Sequence, residues 1–200
     1  MLEGYRPTTE EEAKYYTLTN IPDIAGTCGG ICICVGGGKG MWEDLAEAKE
    51  IAPTADIMAV NVAAMFIPEA KHIYSMHSAQ INAIAQFRIH EYAGDKAIVH
   101  GVKKYDFIHH TWKMRTPAST SGLAAPILAK VLGYNKFILA GVPMDDSGYF
   151  YKQTLNESFP DKARLLEVHN VKEIFGGKIK SMSGRTAKSF GKPDTEWVRS

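Results

Sequence analysis

The sequence predicts an α/β fold in which a mostly parallel sheet carries helices on both faces. Three observations lead there. Continuous apolar runs recur at 30–35 (GICICV), 56–61 (DIMAVN) and 136–141 (KFILAG), and an unbroken run bounded by turn residues suits a strand buried on both faces. Segments of helical spacing lie between the runs. A glycine turn, Gly36 to Gly40, separates the first run from the first helix and opens a strand–helix–strand unit. Such alternation marks a doubly wound, Rossmann-like sheet, and 200 residues suit one domain.

Taken in order, the chain begins with a capping-box pattern, Thr8 or Thr9 followed three residues on by Glu11 or Glu12. A short helix is expected through Ala13, Tyr15, Tyr16 and Leu18 to Pro22, making 1–27 a helical extension outside the sheet. After the first strand and the glycine turn, Met41 to Ile51 has helical spacing through Trp42, Leu45 and Ala48. Lys71 to Met76 reads as a short strand, and Ser78 to His90 as a helix with Ile81, Ile84, Ala85 and Phe87 inward. Ala97–Val99 and Tyr105–Ile108 read as further strands. Thr120-Ser-Gly122 caps an apolar helix that ends at Gly133, a glycine in the C-cap position; Pro126 is assigned to its first turn, where proline is tolerated. From Gly176 onward the chain is small, polar and basic, and is expected to fold over the site.

Composition narrows the function classes. The chain is 45% hydrophobic and 22% charged with a formal net charge of +1, so no global field favours nucleic acid or an anionic membrane. No apolar run approaches the roughly 20 residues of a membrane span. The N-terminus is polar and acidic, unlike a secretory signal, and the expected location is the cytoplasm. Cys28, Cys32 and Cys34 cluster in one predicted strand and read as reduced, buried thiols. A metal site from that spacing would need a fourth ligand. Homo-oligomerisation is left open.

The strongest local signal is the glycine turn. Between a buried strand and a helix, glycines let backbone N–H groups approach a phosphate at the positive end of the helix. The spacing is not that of a P-loop. It is not the dinucleotide fingerprint either, because Met41 holds the third glycine position and the second strand ends in Asn61 instead of an acid.

Val35-Gly-Gly-Gly-Lys-Gly-Met41, Ala59-Val-Asn61, and Thr120-Ser-Gly122 followed by Leu132-Gly-Tyr-Asn-Lys-Phe-Ile-Leu-Ala-Gly141 together resemble one family. It comprises bacterial lipooligosaccharide sialyltransferases, archaeal hydroxymethylpterin pyrophosphokinase-like proteins and motility-associated glycosyltransferase homologues. The resemblance covers roughly 30–151. It implies a nucleotide held by Gly36, Gly38, Asn61, Ser121 and Gly122, with a phosphate touched by Tyr151. Gly37 and Lys39 depart from the family's usual G-N-G-P-S turn, and Pro143 stands where the family has an acid. The sialyltransferases' general-base histidine has no counterpart in sequence.

Other residues carry chemistry of their own. His77 and His110 sit at predicted strand ends, where a histidine can take a proton from an acceptor hydroxyl; His109 adjoins the second. His72 and His169 read as surface or packing residues. Adjacent Asp145 and Asp146 are candidate Mg2+ ligands for a diphosphate, against the alternative of two solvated turn carboxylates. Ser181 to Thr186 has the form of a helix start, with Arg185 offered to an anion. The expectation is a transferase, glycosyltransferase-like, using a nucleotide or nucleotide-sugar donor and an unidentified acceptor. Its rivals are a magnesium-dependent pyrophosphokinase-like transferase and a non-catalytic nucleotide-binding or assembly protein.

Overall fold

The computed structural model describes residues 16–20, 22–151 and 161–200. In chain order the elements are β1 (Thr17–Asn20), β2 (Ile31–Val35), α1 (Met41–Ile51), β3 (Asp56–Val60), β4 (His72–Tyr74), α2 (Ser78–Glu91), β5 (Ile98–Gly101), β6 (His110–Thr111), β7 (Lys113–Arg115), α3 (Ser121–Leu132), β8 (Lys136–Ala140), α4 (Asp161–Phe175), β9 (Ile179–Ser181), α5 (Gly184–Phe190) and α6 (Thr195–Arg199). A 3-10 turn at Asn61–Met65 follows β3 directly.

Alternation along the strands decides the layers. Cys32, Cys34, Met58, Val60, Phe137 and Leu139 face one core with α3 and α4. Ile33, Val35, Ile57, Ala59, Ile138 and Ala140 face the other with α1 and α2. Both faces are thus dry, which is why these strands read as unbroken apolar runs. The seven-stranded sheet runs β6-β5-β4-β3-β2-β8-β9, and every pair in it is parallel. The order reverses direction beside β2: successive strands go outward to β6, then the chain returns to place β8 on the other side. Ligands of open α/β sheets bind at the carboxyl ends of the strands at such a switch point.

Several expectations need correction. Residues 17–20 form a strand instead of the end of a helix; β1 pairs antiparallel with β7, Thr17 opposite Arg115, a long-range partner that local pattern cannot reveal. The candidate capping box and Ala13 and Tyr15 lie outside the described residues. Tyr105–Ile108 is a turn closed by the Ile108 N–H on the Tyr105 carbonyl at 3.1 Å; its apolar residues fill the core from a loop. Pro126 lies inside α3, beyond its first turn. Gly133 does end that helix, at φ 112. Cys28 precedes β2, while Cys32 and Cys34 share a face with their sulfurs 4.0 Å apart, and all three are free thiols. His72 is fully buried. Among the described residues no helix is long and apolar enough to cross a membrane.

Candidate functional site

A cleft of about 450 Å³ opens at the switch point, within the size range of small-molecule sites. Its floor comes from the ends of β2, β3 and β8, and one wall from the start of α3. The opposite wall is the loop after β8, which returns to the glycine turn: the Phe150 N–H donates to the Gly37 carbonyl and the Lys39 N–H to the Gly148 carbonyl, both at 3.0 Å.

The glycine turn has two duties, and packing is the stricter. A Cβ on Gly36 would lie 2.7 Å from Val142 Cγ2, and one on Gly38 would lie 2.4 Å from Pro143 Cδ. Only glycine lets the two loops approach this closely. The turn's amides are mostly spent inside the protein. Gly36 donates to Ala140, Gly38 to Gly141 and Lys39 to Gly148. Of the turn's five residues Gly37 and Gly40 make no backbone amide bond among the described residues, and of these two only Gly37 lines the cleft. The expected multi-amide cradle therefore reduces to one amide.

Asn61 is the most telling residue of the floor. It follows β3 with a left-handed φ of 53, a conformation that asparagine tolerates better than most side chains. Its Oδ1 is buried with no hydrogen-bond partner. A buried acceptor left unpaired costs about 1–3 kcal/mol, and Asn61 itself lines the cleft.

The α3 wall supplies donors. Thr120, Ser121 and Gly122 line the cleft, and the positive end of the helix favours an anion there. Ser121 Oγ accepts the Met76 N–H at 3.1 Å, which fixes the start of α2 beside it. His77, the residue before α2, also lines the cleft, and its N–H donates to Ser75 Oγ at 2.9 Å. Opposite stand Tyr149 and Tyr151, stacked with ring centroids 5.2 Å apart. Burial pushes the Tyr151 hydroxyl up from its ordinary value, with Tyr149 beside it adding to the effect, so it is a proton donor at neutral pH.

Sequence reasoning missed Arg164 of α4, which lines the cleft and binds Asp146 Oδ1 at 2.8 Å. Nothing local in its helix distinguishes it from a surface arginine. Buried Asp44 was missed too. It accepts the Gly141 N–H at 2.9 Å and the Ser183 hydroxyl at 2.5 Å, tying α1, the end of β8 and α5 together. Burial raises its carboxyl above the usual range, opposed by those two donors.

Of the expected site residues, the structure brings together Gly36, Gly38, Asn61, His77, Ser121, Gly122, Asp145 and Tyr151 around one cleft. Three are elsewhere. His110 lies outside the lining and stacks on His100 at 5.6 Å. Arg185 is also outside it: the hydroxyls of Ser181, Ser183 and Thr186 turn inward, Thr186 donating to the Val142 carbonyl at 2.7 Å, and the Arg185 N–H donates to the Pro143 carbonyl at 2.8 Å. The segment after β9 thus braces the cleft from behind instead of covering it. Asp146, itself outside the lining, pairs with Arg164, which is in it, and Asp145 Oδ1 accepts the Ser147 N–H at 3.0 Å. Among the described residues no three His, Cys, Asp or Glu side chains group as metal ligands. Of the two candidate Mg2+ ligands, Asp145 lines the cleft and Asp146 does not.

Compared with protein-family models, curated proteins and solved structures, the chain matches none.

Proposed function

We propose that the protein is a nucleotide-binding transferase of the glycosyltransferase-like kind, using a nucleotide-activated donor. The observation that carries the reading is the buried, unpartnered Asn61 Oδ1 at the switch point. It asks for a donor such as a ribose hydroxyl or the exocyclic amine of a base. Across the cleft, the α3 amides, the Gly37 N–H and Arg164 form the electropositive side that phosphates require.

The chemistry follows from the lining. His77 is the candidate base for the acceptor hydroxyl proton. The acceptor oxygen forms its bond to the donor sugar's anomeric carbon while the bond from that carbon to the phosphate oxygen breaks. The electron pair leaves with the nucleotide, whose new charge meets the α3 amides, Arg164 and the Tyr151 hydroxyl. The free thiols fit a reducing, cytoplasmic setting.

The test is thermal denaturation with nucleoside monophosphates, nucleoside diphosphates and nucleotide sugars. A ligand that binds only the folded state at 100 times its Kd adds about 2.7 kcal/mol of stability. Stabilisation by at least one of them, weakened in Asn61→Ala and His77-independent, is expected; turnover of the matching nucleotide sugar should then require His77.

A further inference from the structure

Arg164, which lines the cleft, already holds an anion that belongs to the protein. Its Nη1 donates to Asp146 Oδ1 at 2.8 Å and to the Asp145 carbonyl at 3.3 Å. The two charges are unequally placed. The side chain of Arg164 is 8% exposed and that of Asp146 73%, and Asp146 stands outside the lining. A charge as buried as that of Arg164 is costly without a counter-ion. An exposed carboxylate loses little on release, because water takes over its solvation. The low-cost change at Arg164 is therefore one anion for another, with Asp146 set free into solvent. The turn that carries Asp146 favours it too. Met144 has a left-handed φ of 54, a conformation that a non-glycine residue keeps only where its surroundings hold it, and the Arg164 bonds to Asp145 and Asp146 are part of that hold.

We infer that Asp146 is a tethered counter-ion that reserves Arg164 for a terminal, doubly charged phosphate. The inference rests on the nucleotide-donor reading above. It gives Asp146 a positioning role, since Asp146 acts on the ligand only through Arg164. A phosphate esterified on two sides carries one negative charge, so taking Arg164 from Asp146 exchanges one charge for one and gains little. A terminal phosphate carries about 1.5–2 negative charges at neutral pH and displaces the carboxylate. In the proposed transfer the bond from the anomeric carbon to the phosphate oxygen breaks, and its electron pair stays on that oxygen. The phosphate thereby passes from the first kind to the second. Arg164 leaves Asp146 as this charge grows, so its bond is stronger in the transition state than with the intact donor, which is the condition for speeding the chemical step.

The experiment is calorimetric titration of the whole protein at pH 8 with nucleoside monophosphates of the common bases, the methyl esters of those phosphates, and inorganic pyrophosphate. The parent is compared with Asp146→Asn, Arg164→Gln and the double variant. Asp146→Asn keeps the size of the side chain and removes its charge. It is expected to tighten all three kinds of ligand by roughly two- to fivefold, the reach of an exposed ion pair. Arg164→Gln should weaken the monophosphate roughly tenfold and its methyl ester hardly at all. Combined with Asp146→Asn it should weaken both relative to Asp146→Asn alone, and no tightening should remain once Arg164 is replaced. The melting temperature of each variant without ligand checks that it folds. Arg164→Lys, which loses the planar fork, stands in where Arg164→Gln does not fold, with the same signs at smaller size. The inference is overturned if Asp146→Asn leaves the affinities unchanged, which makes the pair a structural tie. It is equally overturned if the tightening persists without Arg164, a general charge effect, or if Asp146→Asn weakens binding when Mg2+ is present, which makes Asp146 a metal ligand. If no nucleoside ligand binds but pyrophosphate shows the Arg164-dependent gain, the donor reading fails and the counter-ion role stands. If neither nucleotides nor pyrophosphate bind, both fail.

Discussion

The indole N–H of Trp112 donates to Nδ1 of His100 at 2.9 Å, and this one bond sets the proton positions along a buried chain. Tryptophan can only donate, so His100 carries its proton on Nε2 and gives it to His72 Nδ1 at 3.0 Å. His72 then donates from Nε2 to the Tyr134 hydroxyl at 3.1 Å, and Tyr134 donates to Asp56 Oδ2 at 2.6 Å. Lys71 closes the chain on the same oxygen, also at 2.6 Å. Each histidine is neutral, and every bond points the same way across β5, β4 and β3.

Acid should unravel this chain. Burial holds His72 down at about 4, with the Lys71 charge adding to the effect, and burial likewise holds His100 well below its ordinary value, reinforced by His72, His110 and His109. The unfolded chain takes up these protons near 6.5 and the folded one only at lower pH, so their stabilisation is full above about pH 6.5 and is lost as pH falls toward 4. For His72 alone the loss between pH 7 and pH 5 is about 2 kcal/mol. Urea denaturation at the two values checks it; equal stabilities would mean that the imidazoles are solvated.

Arg88 of α2 should be among the most sensitive positions in the molecule. It is fully buried, grips both oxygens of Asp95 at 2.8 and 2.9 Å and donates to the Ala64, Ile67 and Pro68 carbonyls. Arg88→Met would strand Asp95, whose side chain is 8% exposed, and should cost about 3–5 kcal/mol by denaturant titration. Arg88→Lys should rescue little, since an ammonium cannot span that fan of acceptors. The double change Arg88→Met with Asp95→Asn should recover part of the loss.

Gly38→Ala is a test of packing before it is a test of binding. The added Cβ would meet Pro143 Cδ and, at 2.8 Å, the Gly141 carbonyl, so the loop after β8 must move. A loss on the order of 1–3 kcal/mol is expected, whereas Gly29→Ala, with nothing within 4 Å, should stay within about 0.5 kcal/mol of the parent. Similar effects at the two positions would show that the loops are not packed as described.

How far the sequence could be read follows the range of the interactions involved. β2, β3 and β8 were legible because a strand buried on both faces leaves an unbroken apolar run. Gly36 was legible as a cleft residue because a glycine turn between a strand and a helix is a local feature, while Asn61 and Ser121 came from the resemblance of their motifs to a family. β1 was not, since its partner β7, Lys113–Arg115, lies far along the chain. Ile108 was misread because an apolar residue looks alike in a strand and in a loop that plugs the core. Arg88 and Arg164 owe their meaning to partners on other elements. Arg185 was misplaced because a helix start predicts donors without saying which side of Pro143 they face.

The two arginines near the cleft should separate cleanly. Arg164 lines the cleft and Arg185 does not. Arg164→Gln should weaken a stabilising nucleotide by roughly tenfold or more, the value of a charge-assisted bond of about 1.5–3 kcal/mol, while barely changing its nucleoside. Arg185→Gln should leave both affinities near the parent. Calorimetric titration of nucleotide and nucleoside against each variant decides it, and the reverse pattern would place the phosphate on the α5 side.

The most direct test of the account is calorimetric titration of the parent protein and Asn61→Ala with nucleoside monophosphates of all four common bases. The account predicts that at least one binds the parent at a single site, and that losing the buried acceptor weakens it roughly tenfold while the ligand-free protein stays folded. If no nucleotide binds the parent, or if Asn61→Ala binds as tightly as the parent, the cleft at the switch point is not a nucleotide site.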